Sequence, residues 1–162
     1  MALITKEGAS SSITHKWIYD VFLNFTGKDP RKNFVDHLYA ALDEKGIIRV
    51  RDHELEGGKT KREVIEESRI SVVILSKHYA DSLWCLFELA NIVQCQKEKG
   101  QTILPVFFDV DPSDQVRNQT GSFGEAFEHL VKFLEENLEE VQRWRAALTE
   151  VANLPGWALQ DM

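Results

Sequence analysis

Short apolar runs alternate with longer amphipathic stretches along most of this chain, and this alternation constrains the fold more than any other feature. The short runs are rich in branched and aromatic residues, as strands buried on both faces are. They span residues 17–25, 47–51, 70–76 and 102–108. Amphipathic helices are predicted at residues 31–45, 61–68, 83–99, 123–136 and 138–151. Strands that alternate with helices predict an α/β domain with a parallel sheet.

The faces and ends of the helices support this interpretation. The 31–45 helix has an apolar face made of Phe34, Leu38, Ala41 and Leu42. Gly46 and Gly100 follow the 31–45 and 83–99 helices as C-cap residues. The 123–136 helix has a stripe that we expect to face the core, made of Phe123, Phe127, Leu130 and Leu134.

Connections between parallel strands must cross over in a right-handed sense, which favours a flavodoxin-like, doubly wound sheet. The expected strand order is 2-1-3-4, with helices on both faces of the sheet. In that order the winding reverses between strands 1 and 3, and ligands bind beyond the carboxyl ends of strands at such a reversal. We therefore expect the loops at residues 26–30 and 77–83 to flank a crevice.

Length and charge narrow the class of protein. The chain has 162 residues and a net charge of −7, which fits one compact domain and disfavours nucleic acid as a partner. Its apolar runs are far shorter than the ~20 residues that span a bilayer, so we expect no membrane partner. Residues 1–15 are interpreted as a flexible polar arm, 16–159 as the domain and 160–162 as a tail. We expect Cys85 and Cys95 to be reduced and the protein to be intracellular.

Two motifs come close to ligand-binding patterns without matching them. Residues 53–60 differ by one residue from the phosphate-binding pattern GxxxxGK[ST]. His53 stands where the first glycine is needed, and Glu54 and Glu56 would repel phosphates, so we expect no nucleoside triphosphate there. The aspartates at residues 109–114 miss the EF-hand spacing, and Asp-Pro-Ser is ordinary turn and N-cap chemistry. We predict no metal site and no bound cofactor.

The start of the 83–99 helix carries the most informative polar residues. Asp81 or Ser82 can cap this helix, and Trp84 and Glu88 lie one turn apart on the same face. The helix therefore offers an indole and a carboxylate together. The amphipathic spacing alone favours a surface glutamate at position 88, whereas a carboxylate near an aromatic ring could stabilise a cationic transition state.

Two further side chains have open interpretations. Arg51, at the end of the second predicted strand, could meet an anionic ligand at the crevice or could simply cap the sheet edge. His37 lies on the first long helix, where a lone histidine is more often a packing or interface residue than a catalytic one.

Seven motifs occur in order between residues 17 and 157. They are YDVFL at 19–23, RD at 51–52, EL at 54–55, IEESRIS at 65–71, WCLFEL at 84–89, LPVFFDVDPSD at 104–114 and QTGSFGEAF at 119–127. Together they resemble a plant Toll/interleukin receptor (TIR) domain, as found in intracellular immune receptors and TIR-only proteins. The resemblance implies a five-stranded flavodoxin-like sheet. The sequence patterns do not place the fifth strand, for which residues 157–159 are a candidate. It also implies a cytoplasmic location, with the nucleus as a second one.

Plant TIR domains self-associate and cleave the nicotinamide–ribose bond of NAD, and the products signal defence and cell death. The resemblance therefore implies an NAD nucleosidase, with NAD as substrate rather than cofactor and Glu88 as the catalytic residue. The implied substrate-binding residues are Trp84, Ser82, Cys85, Arg51, Phe25, Thr26 and Gly27. The implied self-association residues are Asp36, His37 and Gly121, in a homo-oligomer that is weak in isolation and could include other TIR domains.

Three departures from the family pattern keep a second function open. Residues 24–29 read NFTGKD where the family usually has SFRGED, so Thr26 replaces a cation and Lys28 replaces an anion. The 57–66 segment is about one helical turn shorter than usual, and Asp36 replaces a small hydroxyl residue before His37. The alternative to an enzyme is a non-catalytic TIR–TIR interaction module in defence signalling.

Overall fold

The computed structural model describes residues 16–28, 32–51 and 58–159. The strands within these ranges are β1 (Tyr19–Asn24), β2 (Ser68–Leu75), β3 (Thr102–Phe108) and β4 (Trp157–Leu159). The α-helices are α1 (Lys32–Glu44), α2 (Lys61–Glu66), α3 (Leu83–Lys99), α4 (Gly121–Phe133) and α5 (Leu138–Ala152). The predicted 102–108 strand and 83–99 helix are confirmed at both ends, and β4 lies where the fifth strand was expected. The predicted arm and tail lie outside the described residues.

The strands form one parallel sheet in the order β1-β2-β3-β4. The 47–51 segment flanks the free edge of β1, where Arg49 makes a single parallel bridge to Val21. With this segment counted, the order is the predicted flavodoxin-like one. A full strand at 47–51 is nevertheless wrong, because Arg49 alone among these five described residues bridges to β1 and Ile48 is 57% exposed.

Helices cover both faces of the sheet. On one face, α1 packs through Val35 and its partly buried neighbours against Val21, Leu23, Ile74 and Val106. On the other face, α2, α3, α4 and α5 share a larger core with the remaining inward side chains of β1, β2 and β3. Phe123 and Phe127 are fully buried in that core and Leu130 and Leu134 pack against it, as the stripe predicts. Ala41 is exposed, so its predicted place on the apolar face of α1 is wrong.

Capping residues set the ends of α3. The Ser82 hydroxyl accepts a hydrogen bond from the backbone N–H of Cys85 at 3.3 Å, so Ser82, and not Asp81, is the N-cap. Gly100 ends the helix with φ of 76°, a left-handed conformation that favours glycine. The first turn of α3 is thereby fixed beside the carboxyl end of β1. Within the described ranges, no helix combines the length and apolar character needed to cross a bilayer.

Candidate functional site

A cleft of about 350 Å³ lies between the carboxyl end of β1 and the start of α3. All eight residues that the sequence analysis assigned to catalysis and substrate binding line it: Phe25, Thr26, Gly27, Arg51, Ser82, Trp84, Cys85 and Glu88. The lining also includes residues that were not predicted: Phe22, Leu23, Tyr39, Val50 and Lys61. None of the eight predicted residues lines either of two larger surface grooves, one beside Arg143 and one beside Phe133. The structure thus brings the predicted residues together, and their roles stay predictions.

Glu88 is a buried carboxylate in the wall of this cleft. Its side chain is 10% exposed, because α3 packs this face against the sheet. The surface position favoured by amphipathic spacing is therefore wrong. Asn24 donates a hydrogen bond from Nδ2 to Oε1 of Glu88 at 2.9 Å. Lys61 places its ammonium 3.1 Å from Oε2. Each oxygen of the carboxylate therefore has a partner.

Asn24 is held in turn by a buried network. Its side chain is fully buried, and Nδ2 also lies 3.4 Å from the carbonyl oxygen of Cys85. The Tyr79 hydroxyl donates a hydrogen bond to Oδ1 of Asn24, and burial holds the pKa of Tyr79 well above its usual range. A neutral phenol therefore orients the amide, which fixes the Oε1 side of Glu88. A polar residue that ends an otherwise apolar strand is the sequence signal that could have revealed Asn24.

The walls of the cleft combine aromatic rings with a neutral thiol. Trp84 is 77% exposed at the surface of the site, whereas Cys85 is only 2% exposed. Burial raises the pKa of the Cys85 thiol to about 11, so the group is not a nucleophilic thiolate at neutral pH. The rings of Phe25 and Tyr39 meet edge to face with centroids 6.3 Å apart.

Cations surround the cleft at three positions. Arg51 lies 3.0 Å from the Asp43 carboxylate, which also binds Arg49 through both of its oxygens. The guanidinium of Arg49, and to a smaller extent that of Arg51, holds the pKa of Asp43 below its usual range. Lys28 reaches the carbonyl oxygen of Asp81 at 3.2 Å and so joins the two loops that were predicted to flank a crevice. The third cation is Lys61.

The residues predicted for self-association lie away from the cleft. Asp36 and His37 are exposed on α1. Gly121 begins α4 with φ of 58°, and a Cβ there would come 3.2 Å from the side-chain nitrogen of Gln115. The backbone conformation is thus a local reason for glycine at this position.

The two near-miss motifs take part in local structure. Residues 52–57 lie outside the described residues, but Lys59 binds Glu67 at 2.9 Å and the Tyr19 hydroxyl at 3.1 Å. Thr60 forms a capping box with Glu63 at the start of α2. Asp111 caps the helical turn Pro112–Arg117, as its Asp-Pro-Ser sequence predicts. No group of three His, Cys, Asp or Glu side chains in the described part of the chain could hold a metal ion.

Comparison with known proteins places the chain in a family. The sequence profile of the TIR domain matches residues 18–162. The chain is 49% identical over 161 residues to disease resistance protein RPV1 of Vitis rotundifolia and 48% identical over 153 residues to TMV resistance protein N of Nicotiana glutinosa. These alignments cover 97% and 91% of the chain but only 11% and 13% of the relatives. Among solved structures, the TIR domains of the activated Roq1 resistosome match with a TM-score of 0.80 and 46% identity over 88% of each chain. The chain belongs to the TIR domain family.

Proposed function

We propose that this domain is an NAD nucleosidase that hydrolyses the bond between nicotinamide and ribose, with Glu88 as its catalytic residue. The observation that carries the proposal is the buried Glu88 carboxylate in a cleft that also gathers Trp84, Arg51 and the 25–27 loop. A charged group in such a poorly hydrated position acts more strongly on a ligand charge than it would in water. NAD is the substrate, and no cofactor is needed for this chemistry.

The reaction follows from the position of the carboxylate. As the C–N bond breaks, nicotinamide leaves with the bonding electron pair and C1′ of the ribose gains oxocarbenium character. The Oε2 atom of Glu88 stabilises this charge or accepts hydrogen bonds from the ribose hydroxyls, while Asn24 holds Oε1. Water then adds to C1′ and loses a proton. Trp84 supplies an aromatic surface beside the leaving group, and Arg51 lies at the rim as a partner for the phosphates.

Assembly is the second part of the proposal. The Roq1 TIR domains that this chain resembles were solved as part of an activated resistosome. We propose that this domain also acts through TIR–TIR contacts, with itself or with other TIR domains. Asp36 and His37 on α1 and Gly121 at the start of α4 belong to the proposed surfaces. The expected setting is plant defence in the cytoplasm, with the nucleus as a further location, and neither membrane nor nucleic acid is an expected partner.

A non-catalytic interaction module is the second candidate. Two observations favour it. Thr26 stands where the family usually has a cation, and Lys61 forms an ion pair with Glu88, the carboxylate that should act on the substrate. A module of this kind would self-associate without releasing nicotinamide.

The test is nicotinamide release from NAD by concentrated protein. Glu98→Ala is a matched control, because Glu98 lies on the same helix at an exposed position. We expect release by the unmodified domain and by Glu98→Ala, faster than linearly with protein concentration, and none by folded Glu88→Ala. Equal release by Glu88→Ala would remove Glu88 from the mechanism. A wild-type domain that releases nothing at any concentration would favour the module.

A further inference from the structure

The contact between Lys61 and Glu88 neutralises the carboxylate. The ammonium lies 3.1 Å from Oε2, and the amide of Asn24 lies 2.9 Å from Oε1. Each carboxylate oxygen can accept a second hydrogen bond, so a ribose hydroxyl can join these partners, but a cationic carbon meets the full negative charge of Glu88 only if Lys61 moves away.

Lys61 is the partner that can move. Asn24 is fully buried and bound by Tyr79 and by the carbonyl of Cys85, so its amide has one position. The Lys61 side chain is 50% exposed and consists of a flexible four-carbon stem. Its ammonium lies 5.8 Å from the centre of the Phe22 ring, and both residues line the cleft.

The backbone of Lys61 is fixed although its side chain is not. Lys61 is the first residue of α2, and the capping box between Thr60 and Glu63 holds that turn. An ammonium released from Glu88 therefore stays within reach of the same cleft, and a ligand bound there can meet it.

Separating this ion pair leaves the buried carboxylate of Glu88 uncompensated unless a new partner replaces Lys61. A ribosyl group that carries a cationic base compensates Glu88 but gives Lys61 nothing. A phosphate on the same ligand gives the ammonium a charge-assisted hydrogen bond. A nucleotide therefore opens the pair by exchange of partners, whereas a nucleoside leaves the released ammonium to water alone and should bind more weakly.

We propose that Lys61 is a specificity-determining residue that makes this cleft select phosphate-bearing ligands. The inference rests on the proposed function for its substrate class, the nicotinamide nucleotides. In the free protein Lys61 holds Glu88, and in the complex it holds the ligand phosphate while Glu88 faces the ribose.

Nicotinamide mononucleotide and nicotinamide riboside differ by one phosphate, so the ratio of their dissociation constants measures this selection. The ratio is obtained by NMR titration for the unmodified domain, Lys61→Met, Lys61→Arg and Arg62→Met. Arg62→Met is the matched control, because it removes one positive charge from the neighbouring exposed position of α2. Thermal unfolding confirms that each variant is folded.

We expect the unmodified domain to bind the mononucleotide about tenfold more tightly than the riboside, the size of one charge-assisted hydrogen bond. Lys61→Met should bring the ratio close to one, while Lys61→Arg and Arg62→Met should preserve it. An unchanged ratio in Lys61→Met, or a wild-type domain that does not distinguish or bind the two ligands, would overturn the proposal. Nicotinamide release in the same samples is a separate readout. A Lys61-dependent preference without release would uphold the role of Lys61 and count against the nucleosidase.

Discussion

Asn24, the last residue of β1, donates a 2.9 Å hydrogen bond to Glu88 in the second turn of α3, 64 residues further along the chain. This contact joins the strand end to the helix and holds Oε1 of the carboxylate, while Oε2 pairs with Lys61. Because Asn24 also accepts from Tyr79, the position of Glu88 depends on side chains from β1, from the turn before α3 and from α3 itself.

Asn24→Ala should destabilise the fold. The change leaves the Tyr79 hydroxyl with only its 3.3 Å contact to the carbonyl oxygen of Cys85 and removes a donor from Glu88. Weakened or unsatisfied buried groups of this kind cost about 1–3 kcal/mol in free energy of unfolding. Urea unfolding measures the loss. Asn137→Ala is the control, because Asn137 is exposed and its side chain makes no capping hydrogen bond. Equal stability of the two variants would show that the buried network contributes nothing.

Cys85 should make stability fall at alkaline pH. Burial raises the pKa of its thiol from 9.0 to about 11, so between these values the unfolded chain releases a proton that the folded chain keeps. The free energy of unfolding therefore decreases as pH rises through this window, by about 2–3 kcal/mol at most. Urea unfolding across this range should show a steeper fall for the unmodified domain than for Cys85→Ala. Parallel curves would contradict the assignment.

ATP with magnesium should not bind at the near-match to the phosphate loop. Lys59 is engaged by Glu67 and Tyr19, and Thr60 caps α2, so both residues have structural roles. Titration calorimetry should show no binding heat, and Lys59→Ala should lower the melting temperature. Micromolar ATP affinity that disappears in Lys59→Ala would show that the loop binds nucleotide.

Asp36→Ser should strengthen self-association. Asp36 is exposed on α1, and burying its carboxylate at an interface costs several kcal/mol unless a cation meets it. Light scattering over a concentration series should give a larger mean mass for Asp36→Ser than for the unmodified domain. The control variant Glu98→Ser, which alters a surface outside the proposed contacts, should leave the mass unchanged. A weaker Asp36→Ser assembly would mean that a basic residue of the neighbouring protomer pairs with Asp36.

The resemblance to TIR domains implied the fifth strand and eight of the residues around the cleft. Sequence patterns by themselves predicted the sheet order and a crevice between the 26–30 and 77–83 loops. The parallel topology explains this success, since strand ends and the helix starts beside them meet at one edge of the sheet. The ends of α3 were predictable because Ser82 and Gly100 are strong local capping signals. The bridge at residues 47–51 was predicted as a full strand, because residue composition does not show how far an edge segment pairs.

The contacts of Glu88 could not be predicted in the same way. Its ion pair with Lys61 joins α2 to α3, and no periodicity or spacing reports a contact between elements that are distant in sequence. The amphipathic pattern of α3 even favoured an exposed glutamate, because it does not register a cation and an amide that compensate a buried charge. Asn24 was visible only as a polar residue at the end of an apolar strand.

Nicotinamide release by Glu88→Gln is the most direct test of the proposed function. Glutamine keeps the size of the side chain and an oxygen for the Asn24 amide, but it removes the charge that should stabilise the ribosyl cation. At equal high concentration, we predict that the unmodified domain releases nicotinamide from NAD and that folded Glu88→Gln is slower by about a hundredfold or more. Release by Glu88→Gln at the wild-type rate would contradict the central role of this carboxylate.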